Sequence, residues 1–378
     1  MALSQQEARV PAIARSEWRG PMKELQALVD EFFVQHKLVG LCAAVVRGQY
    51  DIEIATAGVR RLGSDDPVTI ADKWHIGSNA KAMTAFLCAR MVERGKFGWS
   101  TTLSEVLGDL VAGGTAGVRE VTLMDLLSHR SGIRDRGLLD WIRRARGDTR
   151  SPTEQRLALA EQQLTKAKWG PPSQTAHYSN FGYCLVATVL ERAGGSSWED
   201  MMRAEVFSPL GMINAGFGAP GADGSAQPWG HAGFFRAAPK DPGIPTSDFP
   251  ASMGPAGGIH LDMSDWARFA RMFFEDRVLD GIVSSDSIAR LTTPLSILKD
   301  IRTSFRPSPY ALGWVVLRPD WGNGEVLAHA GSNMNFFASI LIARQRNLAL
   351  MIATNTSMFR AIKPVGKLQE LLVSTYGH

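Results

Sequence analysis

Apolar, β-branched runs stand near both ends of the chain, with helical periodicity between them. Near the start, "LVGLCAAVVRG" and "DIEIATAGVR" are separated by a short break around Gly48 and Asp51, which is the pattern of a β-hairpin. Toward the end, "YALGWVVL", "EVLAHAG", "NFFASILIAR" and "LALMIATN" read as four successive strands. An amphipathic helix over residues 22–37 precedes the first group, and a helix over "AIKPVGKLQELLVSTY" closes the second. Strands at the two ends satisfy their backbone groups most simply in one shared sheet, with the intervening helices inserted as a second layer. The expected fold class is therefore α/β (α+β): an antiparallel sheet flanked by helices, built from both chain ends. The expected divisions are an N-terminal extension over 1–21, a sheet domain from 22–80 and 290–378, and a mostly helical domain over 81–289.

Within the middle block a helix opens near Ser78 and closes at Gly95. "TLMDLLSHRSGI" reads as a short helix ending in a turn at Ser131-Gly132, and "PTEQRLALAEQQLTKAK" as a longer helix. "NFGYCLVATVLERAGG" stops at its glycine pair, "SSWEDMMRAEVF" starts behind Ser196 and Ser197, and "DMSDWARFARMFFED" is the last clear helix of the block. Residues 211–260 are rich in Gly and Pro with little periodicity, and a segment this long is expected to be ordered over a cleft.

Composition excludes several classes. The 378 residues carry 41 Lys and Arg against 37 Asp and Glu, a net charge of +4 spread along the chain. The densest basic run, "WIRRARGDTR", is diluted by Asp140 and Asp148, so no nucleic-acid footprint is present. The three cysteines, Cys42, Cys88 and Cys184, lie far apart in apolar stretches and are expected to be buried, without a disulfide framework or zinc site. No His, Asp or Glu cluster has metal-ligand spacing, so no metal is expected. No run approaches the roughly 18 apolar residues of a membrane span. The opening "MALSQQEARVPAIARSEWRG" lacks an apolar core of signal-peptide type, which leaves a cytoplasmic location, or a periplasmic one reached with a leader since removed.

The chemistry begins at "GSNAKAMTAF". Ser78 and Lys81 are three residues apart at a helix start and share one face. A partly desolvated lysine loses its proton readily enough to act as base for a serine hydroxyl. Two more short motifs follow in order: Tyr178-Ser179-Asn180 in "AHYSNFGY", and His329-Ala330-Gly331 followed by Ser332 on an expected strand. Acyl transfer needs a nucleophile, a base that can later act as an acid, and donors for an oxyanion. These residue types supply all three, and acyl-enzyme chemistry through them is expected to need no cofactor.

Together the three motifs resemble the serine β-lactamase and penicillin-binding-protein superfamily, and its class C-like branch in particular, where a Tyr opens the second motif. "LMDLLSHRSGI", "PAGGIHLDMSDWARF" and "YALGWVV" are similar to the family's connecting segments, and the likeness runs from about residue 23 to the C-terminus. The resemblance implies Ser78 as nucleophile and Lys81 and Tyr178 as the proton-transfer pair, with the general base left open between them. It implies that Asn180 orients Lys81 and contacts the substrate carbonyl. It places the oxyanion hole at the backbone N–H groups of Ser78 and Ser332, beside Gly331.

One position departs from the pattern. Most β-lactamases and carboxypeptidases of this type carry Lys where this chain has His329, which is largely neutral near pH 7. Losing a charged contact to a substrate carboxylate costs about 1.5–3 kcal/mol, or roughly tenfold to a hundredfold in recognition. The expected substrate is therefore a small ester, amide or β-lactam molecule. A carboxylesterase with weak β-lactam turnover leads, followed by a class C-type β-lactamase and a D-aminopeptidase or D-amino-acid amidase. A sensor that is acylated by a cell-wall fragment without turnover is the alternative from another class. Arg134 and Asp135, after the Ser131-Gly132 turn, are expected to face substrate, with Trp229 and His231 as a wall over the acyl pocket. His177 and His129 are expected to be structural.

Overall fold

The computed structural model describes residues 22–135, 137–164, 175–277, 281–298 and 307–378. The expected extension over 1–21, and the end of the "PTEQRLALAEQQLTKAK" helix beyond Leu164, lie outside the described residues.

The sheet has nine strands. The hairpin β1 (Gly40–Arg47) and β2 (Asp51–Gly58) comes from the N-terminal end. Short strands β3 (Thr175–Ala176), β4 (Ser296–Leu298), β5 (Ser308–Tyr310) and β6 (Val315–Leu317) follow. Long strands β7 (Val326–Ser332), β8 (Phe337–Ala343) and β9 (Leu348–Thr354) complete it. The order is β2-β1-β9-β8-β7-β6-β5-β4-β3, so the N-terminal hairpin docks on the last strand of the chain. All pairings are antiparallel except that of β3 with β4, and Leu41 faces Thr354 at the junction of the two chain ends. This is an antiparallel sheet flanked by helices with an inserted helical subdomain.

The sheet is buried on both faces, which is why its strands read as unbroken apolar runs rather than alternating ones. Along β1, Cys42, Ala44 and Val46 enter the core shared with the helical subdomain. Leu41, Ala43 and Val45 enter a second core under the terminal helices. Those helices are α1 (Met22–His36) and α4 (Met358–Tyr376). On the other face lie α2 (Ala80–Glu93) and α3 (Asn180–Gly194). Nearly every residue of α2 from Ala80 to Ala89, and of α3 from Phe181 to Glu191, is buried. A helix that is apolar all round is an interior helix, and these two carry the first two motifs. The α3 helix ends as expected, with Gly195 as a left-handed cap.

One strand expectation is corrected. "YALGWVVL" is a hairpin: the chain leaves the sheet after Tyr310, closes a turn with Ala311 N–H donating to Trp314 O (2.8 Å), and re-enters at Val315. Gly313 adopts the positive φ (86°) that this turn needs. All three cysteines are free and buried, as their apolar contexts indicated. Among the described residues no helix is long and apolar enough to cross a membrane.

Candidate active site

The site forms where the N-terminal end of α2, the N-terminal end of α3 and the edge of β7 converge. Ser78 sits in a tight turn, Gly77–Asn79, that leads directly into α2. Close backbone approach builds this corner. A Cβ on Gly331 would lie 2.3 Å from Ser78 N and 2.2 Å from Ile76 O, and one on Gly77 would lie 2.1 Å from Ser332 N. Only glycine fits at either position, and the absent side chains let the Ser78 turn pack directly against the backbone of β7 at Gly331 and Ser332. Gly257 backs the same turn, with its Cβ position 3.5 Å from Ser78 N.

A buried polar network braces this corner from behind, and the sequence reading missed it. The N–H of Gly77 donates to His75 Nδ1 (3.2 Å), and His75 Nε2 lies 3.3 Å from Asp248 Oδ2. Asn333 Nδ2 donates to Asp248 Oδ1 (3.0 Å), and Asn333 Oδ1 accepts from the N–H groups of Asn335 and Phe336. His75 holds the Asp248 carboxyl below the usual carboxylate range, against its burial. The network thus ties the Ser78 turn to the turn that follows Ser332. The Ser332 hydroxyl takes part in that second turn, donating to Phe336 O (2.5 Å) and accepting from Met334 N–H (2.8 Å).

Lys81 is fully buried. Its Nζ donates to Asn180 Oδ1 (2.8 Å) and Ala256 O (2.6 Å), and lies 3.2 Å from Ser78 Oγ. Burial lowers its pKa to about 7, and the Asp135 carboxylate opposes that shift. A neutral amine has two hydrogens and one lone pair. With two acceptors engaged, the lone pair is left for the Ser78 hydroxyl. The Ala256 carbonyl had no signature in the sequence, because every residue carries one.

Tyr178 approaches from the start of α3. Its hydroxyl is buried without a well-formed hydrogen bond, and burial raises its pKa, with Ser78 Oγ near enough to act the other way. The Lys81 ammonium position lies over the faces of Tyr178 (4.8 Å) and Tyr183 (5.3 Å) rather than against the Tyr178 oxygen. Asp135 fixes this segment. Its carboxylate accepts from Ser179 Oγ (2.9 Å), Asn180 N (2.9 Å), Asn180 Nδ2 (2.8 Å) and Phe181 N (3.1 Å). Asp135 borders the cavity and also anchors the Tyr-Ser-Asn segment, placed where a helix N-terminus favours an acid. His129, at a left-handed φ of 62°, is equally local: its Nδ1 accepts from Ser179 N–H (3.2 Å), and its ring packs 4.5 Å from Tyr178.

These residues open on a cavity of about 930 Å³. Ser78, Tyr178, Asn180, His329, Gly331 and Ser332 line its polar side, and Leu138, Val315, Phe337 and Met358 give it an apolar wall. His329 is 4% exposed. Its ring is held by Ala330 O on Nδ1 (2.9 Å) and by the Tyr310 hydroxyl near Nε2 (3.4 Å). Burial, then the nearby Lys81, lower its pKa to about 3, so the ring is uncharged at neutral pH. Arg134 and His177 also border the cavity, with Arg134 Nη2 2.8 Å from His177 Nε2.

Trp229 is not among the lining residues. Its ring lies 4.8 Å from the Arg61 guanidinium, and its backbone N–H donates to Arg60 O. His231 is buried, with its ring nitrogens engaged by Leu62 N–H (3.0 Å) and Asn355 O (2.9 Å). The segment 211–260 therefore forms no wall over the cavity. Its contribution comes from beneath, through Ala256 O, Gly257 and Asp248. Among the described residues no group of three or more His, Cys, Asp or Glu is arranged to hold a metal ion.

The sheet-and-helix architecture and the convergence of three motif segments on one cavity define a fold of the serine β-lactamase and penicillin-binding-protein class. Residues 25–365 match the family model described as Beta-lactamase, and the chain belongs to that family. Penicillin-binding protein 4 of Amycolatopsis lactamdurans is 28% identical over 337 residues, covering 87% of this chain and 84% of that protein. An unguisins hydrolase of Aspergillus campestris, ungD', is 23% identical over 354 residues, covering 89% of this chain but 62% of its own longer one. The solved structure of D-amino acid amidase from Ochrobactrum anthropi SV3, complexed with L-phenylalanine amide, has a TM-score of 0.70 at 19% identity. It covers 94% of this chain and 99% of that one, a likeness of fold.

Proposed function

We propose that this protein is a serine acyl hydrolase that works through a covalent acyl-enzyme on Ser78, with small apolar carboxylic esters as its preferred substrates. Ser78 Oγ attacks the ester carbonyl while its proton passes to neutral Lys81. The carbonyl oxygen gains negative charge beside the N–H groups of Ser78 and Ser332. On collapse the C–O bond to the alcohol breaks, and the leaving oxygen takes the proton that Lys81 received from Ser78, while the Tyr178 hydroxyl, beside Ser78 Oγ, donates a hydrogen bond to it. Water then repeats the sequence on the acyl-enzyme and releases the acid, restoring Ser78.

The observation that carries the ester reading is the uncharged, buried His329. A neutral imidazole offers no fixed charge to a substrate carboxylate, and the Leu138, Val315, Phe337 and Met358 wall suits an apolar acyl or alcohol group. A second reading, hydrolysis of an anionic amide or β-lactam, draws on Arg134, a cation on the cavity's border.

The deciding measurement is kcat/KM for p-nitrophenyl butyrate and nitrocefin side by side, with Ser78→Ala as the blank. A ratio strongly favouring the ester supports the proposal. A ratio favouring the lactam, falling on Arg134→Gln, overturns it in favour of the second reading. Intact mass after mixing separates both from a sensor, which would hold a stoichiometric adduct for hours.

A further inference from the structure

We propose that the tip of the hairpin over residues 230–240, together with the first turns of α4, is a docking surface for an anionic phospholipid bilayer. The short strands Gly230–Ala232 and Ala238–Lys240 present Phe234 and Phe235 at their tip, 62% and 89% exposed. Phe359, at 51%, joins them from α4, with its ring 5.8 Å from Phe234. The Ser357 hydroxyl donates to Gly233 O (2.6 Å) and fixes the two elements together. Single exposed apolar residues are ordinary, but three clustered aromatics, with Phe234 against both Phe235 and Phe359, are a surface left for an apolar partner.

Charge selects the partner. Arg236 follows the two hairpin aromatics and Arg360 follows Phe359 in the sequence. The α4 helix carries Arg360, Lys363 and Lys367 and no acid before Glu370. Arg360 Nη2 also donates to Lys37 O (3.5 Å), which sets Lys37 next to it in the fold. The acid on the hairpin's flank, Asp241, accepts from Gly243 N–H within its own turn. Aromatics that insert at the acyl boundary, carried on elements that also bear cations for the headgroups, match an anionic lipid surface. A two-fold pairing of this face with a second copy would instead bring Arg236 and Arg360 against their own like charges. Met358, beside Phe359, lines the cavity, so a bound bilayer would lie next to the site.

The test is sedimentation of the whole protein with phosphatidylglycerol–phosphatidylcholine vesicles and with pure phosphatidylcholine vesicles, at low and high salt. The expected result is binding to the anionic vesicles, weakened by salt. It should fall at least about tenfold in Phe234→Ser/Phe235→Ser and weaken in Arg236→Gln/Arg360→Gln. Hydrolysis of a soluble p-nitrophenyl ester and the circular dichroism of both variants should be unchanged, which separates lost docking from lost folding. No sedimentation of the wild type, or equal binding to both vesicle types at every salt, overturns the proposal. Self-association of the wild type that disappears in the phenylalanine variant, without vesicle binding, overturns it in favour of a second copy.

Discussion

His75 Nε2 stands 3.3 Å from Asp248 Oδ2, and the pair links the Ser78 turn to the turn after Ser332 through Gly77 N–H and Asn333. Neither side chain lines the cavity, so their influence on chemistry is through the placement of backbone N–H groups. Losing one oxyanion donor outright costs about a hundredfold or more in kcat, and loosening its support should cost less. We expect His75→Asn and Asp248→Asn each to lower kcat about tenfold with KM nearly unchanged. Steady-state kinetics alongside thermal melts check this; a fall in Tm with an intact kcat would make the pair merely structural.

Gly331→Ala should abolish turnover. The new methyl would sit 2.2 Å from Ile76 O and 2.3 Å from Ser78 N, so β7 and the Ser78 turn must separate. Misplacement on the scale of 1 Å costs about a hundredfold. A fall in kcat/KM of at least that size is expected, with a lower Tm. Near-wild-type kinetics would mean that the two N–H groups do not act together.

Asp135→Ala strips the acceptor from four donors of the Tyr-Ser-Asn segment. Leaving a buried donor unpaired costs about 1–3 kcal/mol, so denaturant unfolding should show a loss of several kcal/mol. Asn180, released from its partner, should orient Lys81 less well. The expected signature is a drop in kcat larger than any change in KM.

The pH dependence follows from Lys81. With its pKa lowered to about 7, the neutral amine accumulates as pH rises through that value. The acid limb of kcat/KM should have its midpoint near there, and Lys81→Arg should remove the activity. In the unfolded chain a lysine titrates near about 10.4. Between these two values the unfolded state binds more protons, so folding stability should rise with pH, by up to about 1.4 kcal/mol per unit. Lys81→Met should lack that slope, as urea titrations at several pH values would reveal.

The Ser78–Lys81 spacing, the Tyr178–Asn180 segment and His329-Ala330-Gly331 were legible because each is a local pattern of chemistry-bearing side chains. The antiparallel sheet from both chain ends was legible because strands buried on both faces leave long apolar runs. Arg134 and Asp135 were legible as neighbours of the site, but the turning of Asp135 toward the α3 N-terminus was not. Trp229 was misplaced because an aromatic in a Gly/Pro-rich segment carries no mark of which surface it covers.

The sequence by itself determined which reactive groups the chain owns and on which elements they ride, since helix and strand periodicity fix spacing along one element. Tertiary structure decided what no spacing encodes. The 2.6 Å contact of Lys81 with Ala256 O crosses 175 residues of chain. The burial that neutralises His329 and lowers Lys81 depends on desolvation by the whole fold. The His75–Asp248 brace exists only once residues 211–260 pass beneath the Ser78 turn rather than over the cavity.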